Sequence, residues 1–297
     1  MRHRTSALAR SVFEVSALCS FGIAAAASPR DASAQQPPTR RPAASRPAPP
    51  STGVITITAN DHFYEAPNPI PGGVVTFRLV NKGKDFHHIW IVKIDEGYAF
   101  SDFMRSLGPG RPLPEWATGL GGPESPEPGQ ESRLTVELPP GRYALACLLP
   151  SRESGTTHLA KGMFLPLTVT KGAARRAPTG DIAVRITGRE IVAPATVTPG
   201  THLLAVYSEA PQPRGFRLAR LQEGKTAADI AAWIEGGSSG TAPFELVGGT
   251  TPLAQGAAVW MPLTFTAGNY ALLPMALDVA SGELRYQRTA PALVSVR

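Results

Sequence analysis

Three short segments of this chain carry side chains that suit a soft metal ion. Asn81-Lys82-Gly83-Lys84-Asp85-Phe86-His87-His88 runs into the apolar stretch Ile89-Trp90-Ile91. Tyr143-Ala144-Leu145-Ala146-Cys147 ends a second apolar stretch, and His158-Leu159-Ala160-Lys161-Gly162-Met163 opens a third. Two imidazole nitrogens and a thiolate in one plane serve both oxidation states of copper, and a long axial thioether tunes the potential. Taken singly, each residue has a plainer reading. Cys147 fits a small buried hydrophobe, and Met163 fits core filler. His87 and His88 fit one inward and one outward residue of a strand, which leaves open which of them would face a metal.

Such a set works only if the chain brings distant segments to one place. The dominant pattern is period two, in Val54 to Thr58, Val74 to Val80, Ile89 to Ile94, Leu134 to Leu138 and Leu165 to Val169. Turn residues separate these runs at Pro71-Gly72-Gly73, Pro128-Gly129 and Pro139-Pro140-Gly141. Short alternating strands with such punctuation predict an all-β Greek-key sandwich. Shifting the chain by 127 positions lays Gly141-Arg142-Tyr143-Ala144-Leu145 on Gly268-Asn269-Tyr270-Ala271-Leu272, and Leu120-Gly121-Gly122 on Val247-Gly248-Gly249. The sequence therefore predicts two tandem copies, residues 53–171 and 180–297, joined by Lys171 to Thr179. Each copy carries one short helix. Thr226 and Asp229 form a capping box for the second, over Thr226 to Glu235, and its counterpart falls near Ala99 to Leu107.

With the loop containing Asn81, the first His, the Tyr-x-x-x-Cys strand and the His followed by Gly-Met in view, the first copy resembles the cupredoxins, the plastocyanin and azurin family. The resemblance covers about Val54 to Thr170. It implies a type 1 copper held by His87, Cys147 and His158, with Met163 axial and Asn81 bracing the loop. It also implies single-electron transfer with a redox protein partner, docking over an apolar patch at Leu148, Leu149, Pro150 and Leu159. One feature departs from the pattern: Leu148 to Thr157 separate Cys147 from His158, where small carriers have only a few residues. That spacing predicts a looser hold on His158.

The second copy acts as an internal control. At the same offset Arg214 replaces His87, Gly215 replaces His88, Pro274 replaces Cys147, Arg285 replaces His158 and Ala290 replaces Met163. The scaffold residues persist while the candidate ligands are absent together, so that copy is read as a degenerate one without metal. A second copper would need further histidines, and the second copy has only His202. No zinc motif, phosphate loop or nucleophilic triad is recognisable. The chain is therefore read as a copper-binding carrier and not an enzyme. The alternatives are a copper storage or delivery protein and a metal-free interaction protein. His62 and His202 are read as surface or structural residues.

Composition narrows the setting. The chain has 297 residues and a net charge of +6, but seven Arg against Glu14 and Asp31 place +5 of it within residues 1–52. The remaining body is close to neutral, which excludes phosphate-backbone binding as its main task. Residues 1–34 read as a signal peptide with the A-x-A site Ala32-Ser33-Ala34, and 35–52 as a Pro-rich disordered linker. A periplasmic or secreted location follows. Loss of Cys19 with the leader would leave Cys147 as the single thiol in an oxidising compartment, where an unpaired thiol is best kept buried or ligated.

Overall fold

The computed structural model describes residues 53–124 and 126–297; the expected leader, the linker and Cys19 lie outside the described residues. The first half carries β1 (Val54–Ala59), β2 (Tyr64–Glu65), β3 (Ile70–Pro71), β4 (Gly73–Asn81), β5 (Trp90–Ile94), α1 (Phe100–Ser106), β6 (Ala117–Gly119), β7 (Glu131–Leu138), β8 (Gly141–Ala146) and β9 (Phe164–Thr170). The second carries β10 (Ile182–Ile186), β11 (Ile191–Val192), β12 (Thr196–Val197), β13 (Gly200–Ser208), β14 (Arg214–Leu221), α2 (Ala227–Glu235), β15 (Phe244–Leu253), β16 (Ala258–Phe265), β17 (Gly268–Asp278), β18 (Glu283–Tyr286) and β19 (Ala292–Val296). Element follows element at the expected offset: Gly73–Asn81 with Gly200–Ser208, and Glu131–Leu138 with Ala258–Phe265.

Alternation in sequence becomes alternation in burial. In β1 the inward residues Ile55, Ile57 and Ala59 are buried while Val54 and Thr56 face out. They pack with Phe77, Leu79, Leu134 and Val136 from the same sheet against Leu145 and Leu167 of the facing one. The first sandwich faces β7-β4-β1-β2 with β3-β9-β8-β5-β6. The second faces β11-β10-β13-β16 with β12-β19-β17-β14-β15, and β18 pairs with β17. Consecutive strands change sheet, as from β4 to β5 and from β6 to β7, which gives the Greek-key crossing of a cupredoxin-like sandwich. Both helices begin on an Asp at their third position. Asp102 accepts the Ala99 N–H at 2.7 Å and Asp229 accepts the Thr226 N–H at 2.9 Å.

The two sandwiches pack on each other, which the sequence left open. β7 and β16 pair antiparallel through Val136↔Val259 and Thr135↔Trp260, so one sheet of eight strands runs through both halves. Pro123 also bridges Thr250, its own counterpart 127 positions on. Antiparallel pairing of equivalent segments is what a local two-fold axis produces. Across this contact the Thr251 hydroxyl donates to the Ile89 carbonyl at 3.1 Å and Trp90 Nε1 donates to the Pro252 carbonyl at 3.0 Å. Thr251→Val keeps the shape but leaves the buried Ile89 carbonyl without this donor. It is expected to lower stability by about 1–3 kcal/mol, read as an earlier urea midpoint at unchanged slope.

Candidate metal centre

Register brings the candidate residues to one pole of the first sandwich. Ala146 at the end of β8 pairs with Trp90 at the start of β5 and with Phe164 at the start of β9. The residues just beyond this three-strand rung are His87-His88-Ile89, Cys147 and Met163. The Cys147 N–H donates to the Met163 carbonyl at 3.2 Å, and the Met163 N–H donates to the His158 carbonyl at 2.8 Å. One ligating atom each of His87, Cys147 and His158 lies within 4.8 Å of the others, and all three residues are buried. Met163 is fully buried beside them in the same core.

The long segment between Cys147 and His158 does not loosen the site, contrary to the expectation from spacing. It folds back on itself as a two-stranded arm. Leu159 N–H donates to the Cys147 carbonyl at 2.8 Å, His158 N–H to Leu149 at 2.8 Å and Ser151 N–H to Thr156 at 2.9 Å. Pro150 and Thr157 form a bridge between these rungs. The extra residues sit beyond the ladder, and His158 returns so that its Nδ1 lies 3.4 Å from Cys147 Sγ.

The same ladder separates the two adjacent histidines. His88 turns away from the cluster, and its Nε2 accepts the Leu148 N–H at 3.0 Å. His87 faces the cluster, its ring centroid 4.5 Å from that of His158. Both ring nitrogens of His87 are buried without a hydrogen-bond partner. Gly83 makes room for this ring, since a Cβ there would stand 2.5 Å from His87 Nε2. Asn81 holds the intervening loop. Its amide donates to the Asp85 carbonyl at 2.8 Å and the Pro126 carbonyl at 3.0 Å, and its oxygen accepts the Gly83 N–H at 2.9 Å.

Two neighbours escaped the sequence reading. Asp85 Oδ2 lies 3.4 Å from His158 Nε2 and accepts the Arg152 N–H at 2.7 Å. A carboxylate behind the second ring nitrogen fixes the tautomer and points Nδ1 at Cys147, as partners of metal-bound histidines do. A carboxylate two residues before the paired histidines was the available cue. His62, read as unrelated, is exposed at the same pole with its ring 6.4 Å from that of His158. His202 is held elsewhere by Asp181 at 2.7 Å. The expected docking patch also needs correction: Leu148 and Leu149 are buried, and Pro150 is the exposed member of the group.

Burial sets the charge of the site. It pushes the Cys147 thiol up to about 12, against the opposing effect of the His88 and Leu149 backbone and the nearby Tyr64 hydroxyl. It pulls His87 down to about 4, helped by His158, and it lowers His158 against the pull of Asp85. Near neutral pH the pole therefore holds one thiol and two uncharged imidazoles. With Cys147 fully buried, slow alkylation alone does not separate a ligand from a structural thiol. The donor set, with two orphaned nitrogens on a buried ring, fits a copper ion.

No protein-family model matches the chain, and no curated protein matches it. Among solved structures, a dithionite-reduced auracyanin from Roseiflexus castenholzii aligns with 40% of this chain and 98% of its own length, at 24% identity and a TM-score of 0.30. Rusticyanin from Thiobacillus ferrooxidans aligns over 39% of this chain and 76% of its own, at 21% identity and TM-score 0.26. A copper nitrite reductase from Nitrosomonas europaea spans 82% of this chain and 93% of its own, at 14% identity and TM-score 0.23.

Proposed function

We propose that the protein is an exported one-electron carrier with a single type 1 copper site in its first sandwich. His87, Cys147, His158 and Met163 would hold the metal. The observation that carries this reading is His87. A buried imidazole with both nitrogens unpartnered is costly, and here it stands against the Cys147–His158 pair that a copper would join. When bound, copper supplies the one-electron couple. The chain's part is to fix the ligands and exclude water. The Cys147–Met163–His158 backbone ladder holds the sulfur and one imidazole in place, Asp85 orients His158, and Gly83 and Asn81 set His87. Burial of every ligand keeps reorganisation small between oxidation states.

Export places the lone thiol where oxidation would otherwise threaten it, and burial protects it. Among the described residues no helix is long and apolar enough to cross a membrane. The test is a visible spectrum of the purified chain titrated with Cu(II). An intense blue band that saturates near one equivalent is the expected result. A colourless protein that binds Cu(I) would move the assignment to storage or delivery, and binding of neither ion would overturn it.

A further inference from the structure

The half of the chain without ligands reaches the metal centre through one buried chain of contacts. Arg217 of β14 donates from Nε to Glu124 Oε1 at 3.0 Å and from NH1 to the Tyr286 hydroxyl at 3.0 Å. Glu124, 2% exposed, belongs to the first half, and the same Oε1 faces His88 Nδ1 at 3.7 Å. His88 Nε2 accepts the N–H of Leu148, the residue after Cys147. That acceptor role leaves Nε2 without a proton and puts the ring's N–H on Nδ1, which faces the carboxylate across an electrostatic contact longer than a hydrogen bond. The Tyr64 hydroxyl donates to the His88 carbonyl from the other side.

The plain reading is a salt bridge that joins two sandwiches. The local two-fold axis argues against it. The position equivalent to Arg217 is Trp90, and the position equivalent to Glu124 is Thr251. On that side of the axis the joint is made by Trp90 to the Pro252 carbonyl and Thr251 to the Ile89 carbonyl, all uncharged groups. The joint therefore does not require an ion pair. Nor is there a counterpart of His88: Gly215 stands there, and a Cβ would lie 2.2 Å from the Thr250 carbonyl oxygen. Among the described residues the charged chain exists only on the side that leads to Cys147. Desolvating an Arg–Glu pair is expensive, and the uncharged solution was available in the same fold.

We propose that Arg217 is a positioning residue for the metal centre: through Glu124 and His88 it fixes the backbone at Leu148, and with it the sulfur of Cys147. The contact chain stands without metal, and only its consequence for copper rests on the function proposed above. Amide hydrogen exchange of the metal-free chain and Cu(II) titration of the same chain test it together. Arg217→Met is expected to speed Leu148 exchange roughly tenfold, about the weight of one hydrogen bond. It is also expected to weaken copper binding roughly 10- to 100-fold, the usual effect of losing an outer partner, with a shifted charge-transfer band. Arg217→Lys should recover part of each effect. Thr251→Val, which weakens the same joint on the uncharged side, should speed Leu148 exchange no more than it speeds the slowest amides of the second sandwich, and should leave the band at its wild-type position.

Wild-type protection and band in Arg217→Met would overturn the proposal, as would equal losses in Thr251→Val. If Arg217→Met does not fold, Glu124→Met removes the acceptor that joins Arg217 to His88 at nearly unchanged volume and is read the same way. If the wild-type chain binds no copper, the carrier reading fails, while the exchange measurement still decides whether Arg217 holds Leu148.

Discussion

Cys147→Ser is expected to abolish the blue band of the copper-loaded chain. It should also weaken copper binding by more than the roughly 10- to 100-fold that loss of an outer partner costs. A hydroxyl is a poor donor for copper, and the band arises from charge transfer out of the cysteine sulfur. The serine would sit in the same buried place, with Met163, Leu149 and Tyr64 in the surrounding core. Proton linkage gives a second readout. Burial holds the metal-free thiol near 12, so at neutral pH every copper bound as a thiolate complex must displace that proton. Apparent affinity should therefore rise about tenfold per pH unit from about pH 6.5 to 8, above the ordinary value from which burial lowers both His87 and His158. Acid opposes binding and base favours it. In Cys147→Ser the slope should vanish, since no thiol proton is released and His87 is already neutral above about 4. A serine variant that kept the colour, the affinity and the slope would remove Cys147 from the centre.

The fold was legible because its determinants are local and periodic. Alternation in Val54 to Thr58 places Ile55 and Ile57 inward without reference to the rest of the molecule, and the glycines and prolines at Pro71-Gly72-Gly73 mark where the chain turns. The repeat made each element a check on its counterpart. The site was legible as residue types and chain order, and the register of three neighbouring strands then carries Cys147 and Met163 together. What was not legible depends on contacts between segments. Whether His87 or His88 turns inward is decided by the Leu148 N–H, which lies on another strand. The spacing from Cys147 to His158 looked loose, because a loop's length does not reveal that its two arms pair. Asp85 stood two residues before the paired histidines, which was a cue, whereas His62 reaches the same pole from a different element and nothing in its own neighbourhood announces it. Arg217 was invisible as well, since its role needs the two-fold packing of β7 on β16.

In the metal-free chain, stability should fall as the pH is lowered from about 6.5 to about 4, by on the order of 3 kcal/mol from His87 alone. The sign follows from proton counts. Burial, with His158 beside it, lowers His87 from 6.5 to about 4 in the folded chain, while the unfolded chain keeps the ordinary value. Between those limits the unfolded state binds more protons, so acid favours it. Above about 6.5 both states hold a neutral ring, and the term is constant. His158, also lowered by burial, acts in the same direction. His87→Leu removes the titrating group and replaces two orphaned nitrogens by apolar atoms. Urea unfolding at pH 7 and pH 4 should therefore show a much smaller acid loss in the variant than in the wild type. Equal losses would mean that the folded chain solvates or pairs His87 and that the ring is not held apart for a ligand. The expected result expresses the bargain in this pole of the sandwich: an imidazole kept dry and unpartnered weakens the empty fold, most of all in acid. A metal ion that binds the folded state alone restores that stability by mass action.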